Sequence, residues 1–157
     1  CLLSRGLGDV YKRQGVEHRL EYVMTVNGVP YYNDSKATNP DSTIKALEAF
    51  DGHIILLAGG HDKMTSLEPM MKLVQAKADV LILLGEAKER FYEAAAAAGV
   101  GDIRKVETMD EAVELAYKLA AAPQVVLLSP ACSSYDMFEN FPARGRYFKN
   151  LVAALPK

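Results

Sequence analysis

A chain of 157 residues and 17.2 kDa has the size of one domain, because domains usually span roughly 100 to 200 residues. Half of the residues are hydrophobic and 24% are charged, which is typical of a globular fold with its own core. The 18 Lys and Arg nearly balance the 20 Asp and Glu, and this balance, with no basic block, argues against a nucleic acid as the main partner.

The first 14 residues, CLLSRGLGDVYKRQ, show no sustained hydrophobic period and no clear helix cap. We expect residues 1–14 to be a foreign or disordered leader, with an extra edge strand as the competing interpretation. The fold then occupies residues 15–157. Because the sequence begins with Cys1 rather than Met, we also expect a piece of a longer protein.

A β-hairpin is predicted next, around Asn27-Gly28. Residues 20–26 partly alternate and are rich in strand formers, and strand character resumes over residues 29–32. Asn-Gly suits the two positive φ angles of a type I′ turn, so the two strands should be antiparallel.

Strands and helices alternate after the hairpin. Short apolar runs without polar alternation are typical of buried parallel strands, and the gaps between them can hold crossover helices. These runs cover residues 54–58, 80–84, 103–106 and 125–128. The predicted fold is α/β, a Rossmann-like doubly wound and mostly parallel sheet with an antiparallel N-terminal hairpin at its edge and helices on both faces.

The gaps contain helix signals. Asn39-Pro40-Asp41 reads as an N-cap, an N1 proline and a first-turn acid, and Gly99 is a natural C-cap. Two segments have the spacing of a capping box. The predicted helices start after Asn39, run over residues 87–98 and 143–155, and have capping boxes at Thr65 to Glu68 and Thr108 to Glu111.

Polar segments follow three of the predicted strands. They cover residues 33–38, 59–63 and 129–134, and they contain two lysines and several hydroxyls. Ligands of parallel sheets bind outside the carboxyl ends of strands, so these segments are predicted to form a site for a small anionic ligand. The alternative interpretation is that the lysines are solvated and that Ser129-Pro130 only terminates a strand.

Other functional signals are weak. His61 and Asp62 could form a metal site or an acid–base pair, but adjacent side chains usually point in different directions, so an ordinary loop is favoured. Cys132 has no nearby histidine or second cysteine to activate it. Cys1 and Cys132 lack the spacing of a disulfide framework or a zinc site, which favours a reducing cytoplasm. No apolar run approaches the roughly 20 residues that span a bilayer, and no signal peptide is recognised, so membrane insertion is not expected. Neither G-x-x-x-x-G-K-[ST] nor G-x-G-x-x-G occurs, so the cradle of any nucleoside triphosphate must come from another domain.

Three motifs resemble one family. They are His18-Arg19-Leu20-Glu21, the segment NDSKATNP at residues 33–40, and LSPACSSYDMF at residues 128–138 with Phe141 and Arg144-Gly145. Their order and content resemble the C-terminal domain of the Mur ligases and, within that family, the members that add D-glutamate. The resemblance covers residues 15–157.

The resemblance implies an ADP-forming acid–amino-acid ligase of three domains, of which only the amino-acid-binding domain is present. Such an enzyme phosphorylates the carboxylate of UDP-N-acetylmuramoyl-L-alanine with ATP, and the amine of D-glutamate attacks the acyl phosphate. ATP and Mg²⁺ would be bound mainly by the missing central domain, so the isolated chain should be inactive. The implied setting is a cytoplasmic monomer in peptidoglycan synthesis, a process that serves cell-wall biogenesis, cell shape and cell division.

The resemblance also assigns residues. The D-glutamate side would comprise Thr38, Lys63, Ser134, Tyr135 and Phe141, and the ATP side facing the other domains would comprise Arg19, Asp34 and Lys36. It implies no certain catalytic residue and no metal ligand in this chain. Two alternatives stay open: a free-standing, non-catalytic α/β module that binds an acidic amino acid or a nucleotide, and a ligase of the same chemistry for another amino acid.

Overall fold

A computed structural model describes residues 16–156 of the chain, and the predicted leader over residues 1–14 lies outside them. Within the described residues, a hairpin leads into alternating strands and helices. The elements are β1 (Glu21–Val26), β2 (Val29–Asn33), α1 (Pro40–Glu48), β3 (Ile54–Ala58), α2 (Glu68–Lys77), β4 (Ala78–Leu83), α3 (Lys88–Ala97), β5 (Ile103–Lys105), α4 (Met109–Leu119), β6 (Val125–Leu128) and α5 (Phe141–Ala153).

The six strands form one sheet in the order β1-β2-β6-β3-β4-β5. Only the β1–β2 pair is antiparallel, and the other neighbours are parallel. Asn27 and Gly28 have φ angles of 53° and 81°, as a type I′ turn requires, so the predicted hairpin is confirmed.

Helices cover both faces of the sheet. All five residues of β3 are buried, and successive side chains point to opposite faces: Leu56 packs in the cluster with α1, α2 and α3, and Leu57 in the cluster with α4 and α5. A strand that is buried on both faces must be apolar throughout, which explains the sequence IILLA. The predicted doubly wound architecture is therefore confirmed.

Two predicted helix starts and one helix end match the structure. Asn39 caps α1 by accepting a hydrogen bond from the Ser42 N–H at 2.9 Å, and Thr108 caps α4 by accepting from the Glu111 N–H at 3.1 Å. Gly99, which follows the C-cap of α3, has a φ angle of 88°. These ends were predictable because capping is a local interaction.

Two other boundaries differ from the prediction. Thr65 does not cap a helix: α2 begins at Glu68 without a side-chain cap, and the Thr65 carbonyl accepts a hydrogen bond from Arg90 Nη2 at 2.9 Å. The last helix begins at Phe141 rather than residue 143, because the Asn140 side chain accepts from the Ala143 N–H at 2.8 Å and thereby supplies an earlier cap. Phe141 consequently lies in the first turn of α5 and not in a loop.

Strand order brings the three polar segments to one place. Because β6 lies between β2 and β3, the segments that follow these strands are neighbours at the carboxyl edge of the sheet. The chain winds from β3 outward to β5 and returns through α4 to β6, so the direction of winding reverses between β3 and β6, where ligands of such sheets bind. Among the described residues, no helix combines the length and the apolar character that a bilayer span requires.

Candidate functional site

Backbone hydrogen bonds join the segments after β2, β3 and β6. The Gly59 N–H donates to the Pro130 carbonyl, the Ala131 N–H to the Ala37 carbonyl and the His61 N–H to the Ser133 carbonyl, each at 2.9 Å. The three segments therefore form a single connected rim, as their positions after the strands predicted.

Two residues assigned to the D-glutamate side are in direct contact. Lys63 Nζ donates a hydrogen bond to the Thr38 carbonyl at 3.1 Å, although the two residues belong to different segments. The Lys63 side chain is exposed and Thr38 is half-buried, so both remain accessible from solvent.

The other three residues of that set lie on the third segment and on α5. Ser134 is buried, and Tyr135 is 71% exposed at the rim. Phe141 is half-buried, and its carbonyl accepts a hydrogen bond from Ser35 Oγ at 2.8 Å. The fold thus places all five assigned residues on segments at the carboxyl edge of the sheet or directly against them.

The segment that carries Lys63 is anchored by Arg90, which the sequence analysis missed. Arg90 Nε lies 3.1 and 2.9 Å from the two carboxylate oxygens of Asp62, and this interaction holds the Asp62 pKa below its usual value. His61 Nδ1 contacts Glu86 Oε1 at 3.1 Å instead of Asp62. Asp62 is therefore an anchor for the segment. No local sequence signal relates Arg90 to it, since the contact depends on how α3 packs.

The residues assigned to the ATP side line a cavity of about 400 Å³ beside α1. Arg19, Lys36 and Lys45 contribute three cationic side chains, and Asp34 contributes the one carboxylate. This excess of positive charge suits an anionic ligand such as a phosphate group. The sequence analysis assigned no role to Lys45, because Lys45 reaches this cavity only through the packing of α1 against Leu20.

Asp34 connects this cavity to the sheet. Its two carboxylate oxygens accept hydrogen bonds from the Leu20 N–H at 2.9 Å and from Ser129 Oγ at 2.8 Å. Asp34 is only 5% exposed, and burial raises its pKa to about 7. The carboxyl group is therefore only partly ionised at neutral pH.

The raised pKa predicts a pH-dependent effect of Asp34→Asn. The folded chain holds the Asp34 proton to a higher pH than the unfolded chain, so Asp34 loses its stabilising contribution as the pH rises through about 7. An asparagine can still accept from the Leu20 N–H and can donate to Ser129 Oγ. We expect the free energy of unfolding of the variant, relative to wild type, to rise by on the order of 3 kcal/mol between pH 5 and pH 8.

Urea unfolding at several pH values tests this prediction. Asp41→Asn is the control, since Asp41 is an exposed acid in the first turn of α1 and should shift the curves equally at every pH in this range. Parallel pH profiles for wild type and Asp34→Asn would contradict the burial of an ionisable group at this position.

One group of side chains has the spacing of a metal site but does not fit Mg²⁺. Potential ligand atoms of Glu17, His18 and Glu21 lie within 4.8 Å of one another. Lys149 Nζ, however, already contacts Glu17 Oε2 at 2.7 Å and Glu21 Oε2 at 3.2 Å, so a cation is in place. Asn33 Nδ2 lies 2.9 Å from His18 Nδ1 and 3.0 Å from Glu21 Oε1, which makes it the donor to both.

The tautomer of His18 follows from this network. Because His18 Nδ1 accepts from Asn33, the proton of the neutral ring is on Nε2, which faces Glu17 Oε2 at 3.5 Å. Burial lowers the pKa of His18, which favours the neutral form. For Nε2 to bind a metal, the ring proton would have to move to Nδ1, which already faces the amide donor Asn33 Nδ2. The cluster is a hydrogen-bonded anchor for the segment that carries Arg19.

Cys132 is also structural. It is 3% exposed, and burial raises its pKa to about 12, so the thiolate that nucleophilic catalysis needs does not form at neutral pH. The sequence likewise offers no nearby histidine or second cysteine to activate it.

Comparison with known proteins gives the family. The family described as Mur ligase, glutamate ligase domain, matches residues 18–132. The UDP-N-acetylmuramoylalanine–D-glutamate ligase of Citrifermentans bemidjiense is 48% identical over 158 aligned positions, which cover 98% of this chain and 34% of that protein. The chain spans about a third of the length of the curated relatives that it matches.

Solved structures show the same fold at low sequence identity. The UDP-N-acetylmuramate-alanine ligase of Thermotoga maritima has a TM-score of 0.59 and 16% identity, over 88% of this chain and 30% of that one. The folylpolyglutamate synthase of Mycobacterium tuberculosis, solved in complex with ADP and AMPPCP, has a TM-score of 0.57 and 19% identity, over 84% of this chain and 32% of that one. Since the family match covers most of residues 15–157 and the topology agrees, this chain belongs to the Mur ligase family as a glutamate ligase domain.

Proposed function

We propose that residues 15–157 are the amino-acid-binding domain of an ATP-dependent ligase that adds D-glutamate to UDP-N-acetylmuramoyl-L-alanine in peptidoglycan synthesis. The observation that carries this proposal is the contact between Lys63 Nζ and the Thr38 carbonyl, which joins the segments after β2 and β3 at the rim. It supports a shared site for one carboxylate, in a chain whose relatives are named as D-glutamate ligases.

The proposed substrate demands two anion-binding points and one free amine. Lys63 and the Thr38 hydroxyl would bind the side-chain carboxylate of D-glutamate. Ser134 and the backbone near Tyr135 and Phe141 would bind its α-carboxylate. Fixed donors at both ends would orient the amine toward the neighbouring domain, where the acyl phosphate forms. The selectivity for a dicarboxylate would arise because a substrate with one carboxylate leaves half of these donors unpaired.

The second part of the proposal concerns ATP. Arg19 and Lys36 would contact its phosphates from the cavity beside α1, and Asp34 would meet a ribose hydroxyl with the lone pairs that its internal hydrogen bonds leave free. When bound, Mg²⁺ would neutralise phosphate charge. Since Lys149 occupies the one metal-like cluster among the described residues, the ion would be bound by the domain that carries the P-loop.

The reaction would form ADP, and the isolated chain would show no turnover, because it contributes only part of each substrate site. We infer a monomeric enzyme that acts in the cytoplasm, where ATP and UDP-linked sugars are available. Closure of this domain over the other two would complete the site.

A domain exchange tests the proposal. Residues 16–157 would replace the corresponding last third of the Citrifermentans bemidjiense ligase, to which the chain is 48% identical. We expect the chimera to add D-glutamate to UDP-N-acetylmuramoyl-L-alanine with release of ADP, and the isolated chain to be inactive. A folded chimera that binds ATP and the UDP-sugar but transfers no D-glutamate would refute the proposed function.

Titration of the 157-residue chain separates the alternatives. D-glutamate should shift the amide NMR signals of Thr38, Lys63 and Ser134 at millimolar concentrations, and D-alanine should bind at least tenfold more weakly because it lacks the second carboxylate. Stronger binding of D-alanine or of a diamino acid would indicate a sister ligase. D-glutamate binding together with an inactive chimera would favour a free-standing binding module.

A further inference from the structure

A buried arginine on α5 joins two of the three rim segments, which follow β2, β3 and β6 and are called loops below. Arg144 is only 2% exposed, and its guanidinium makes three hydrogen bonds. Nε donates to Ser35 Oγ at 2.9 Å, Nη2 to the Ser35 carbonyl at 2.7 Å and Nη1 to the Cys132 carbonyl at 2.9 Å. Ser35 lies in the loop of Thr38, and Cys132 lies in the loop of Ser134.

The third loop packs against the same group. A Cβ added at Gly60 would lie 3.0 Å from the Cys132 Cβ and 3.4 Å from Arg144 Nη1. Gly60 lies in the loop of His61 and Lys63, so all three loops at the rim contact one guanidinium or would meet it with a single added Cβ. Among the described residues, its hydrogen-bond acceptors are two carbonyls and a hydroxyl, and no carboxylate pairs with it.

The acceptors explain why a cation is buried here. The Ser35 and Cys132 carbonyls belong to buried residues of different loops, and each would lose its guanidinium donor if Arg144 were replaced. A planar guanidinium can satisfy both at once and fixes their separation, which a lysine or an apolar side chain cannot do. Ser35 Oγ in turn donates a hydrogen bond to the Phe141 carbonyl at 2.8 Å, so the first turn of α5 belongs to the same hydrogen-bond network.

We propose that Arg144 is a positioning residue for the acidic amino acid: it holds the Ser35 and Cys132 loops at the spacing at which Thr38 and Ser134 can bind the two carboxylates of one substrate. The inference rests on the proposed function, since it takes the ligand from it. Arg144 itself does not touch the substrate.

The test compares variants of the full 157-residue chain in D-glutamate titrations followed by NMR. Arg144→Met should raise the dissociation constant at least tenfold, and Arg144→Lys, which keeps the charge but not the fork, should give a smaller rise. Phe148→Leu is the matched control, because Phe148 lies one turn further along α5 and is fully buried in the apolar cluster with α4, away from the loops. It should lower the melting temperature but change the dissociation constant less than twofold.

Amide hydrogen exchange provides a readout that does not need the ligand. In Arg144→Met, the amides of His61 and Ala131, which join the loops, should exchange at least tenfold faster, and the amide of Leu56 in β3 should be unchanged. If Arg144→Met does not fold, Arg144→Lys and Ser35→Ala take its place, the second because it removes only the acceptor of Nε and the donor to Phe141.

Each outcome is decisive. Equal D-glutamate binding by folded wild type and Arg144 variants, or equal weakening by Phe148→Leu at matched stability, would overturn the positioning role and leave the proposed function intact. Unchanged exchange at His61 and Ala131 would overturn it as well. If wild type binds no D-glutamate in isolation, the same variants are compared by their Michaelis constants for D-glutamate in the chimera, where an unchanged constant in Arg144→Met would overturn the positioning role. A folded chimera that transfers no D-glutamate would refute the proposed function, and the positioning role with it.

Discussion

Replacement of Lys63 by alanine is expected to raise the Michaelis constant for D-glutamate in the chimeric ligase by about ten- to a hundredfold. A charge-assisted hydrogen bond to a carboxylate in a closed site contributes roughly 1.5 to 3 kcal/mol, which corresponds to that range. Because Lys63 Nζ lies on the Thr38 side of the rim and not in the cavity of Arg19 and Lys36, the constant for ATP should change little.

Steady-state kinetics with each substrate varied in turn measures this effect. Lys118→Ala is the control, since the Lys118 side chain is 66% exposed on α4 and pairs with Glu114 on the same helix. Lys63→Arg should give an intermediate result, because it keeps the charge but changes the geometry. Equal increases for D-glutamate and ATP after Lys63→Ala would disprove the assignment of Lys63 to the amino acid.

Gly59→Ala should have the largest effect on stability, a loss of more than about 4 kcal/mol or failure to fold. Gly59 has a φ angle of 117°, which residues with a Cβ rarely adopt. An added Cβ would overlap the carbonyl oxygen of Leu84 and would lie 3.1 Å from the carbonyl carbon and the nitrogen of that residue. The strands cannot move apart to relieve this overlap, since the Leu84 N–H donates to the Ala58 carbonyl at 3.1 Å.

Urea unfolding of Gly59→Ala and Gly101→Ala separates steric overlap from a general effect of replacing glycine. A Cβ at Gly101 would meet no atom within 4 Å, so that variant should stay within about 0.5 kcal/mol of wild type. Wild-type stability of Gly59→Ala would show that the approach between β3 and β4 is not as close as described. Gly59 also begins the segment that carries Lys63, so this close packing is the support from which the segment extends.

Much of the fold could be predicted because its signals are local. The hairpin follows from Asn27-Gly28, the start of α1 from Asn39-Pro40, and the strands β3 and β6 from runs that are apolar on both faces. The Thr65 capping box failed for the opposite reason. Its residues have the right spacing, but a distant arginine, Arg90, binds the Thr65 carbonyl and keeps the segment out of the helix.

In the candidate site, too, local features could be predicted from the sequence and distant contacts could not. Thr38, Lys63 and Ser134 were assigned because they follow strands and match a family pattern. Arg144 belongs to the same pattern, but nothing in the sequence indicated its contacts, and Arg90 lies inside a helix with no local mark of its contact with Asp62. The sequence by itself determined the alternation of elements, the polar segments and the family. Only the tertiary structure decided that β6 lies between β2 and β3 and that buried side chains from α3 and α5 join the loops, because these contacts connect residues that the chain order keeps far apart.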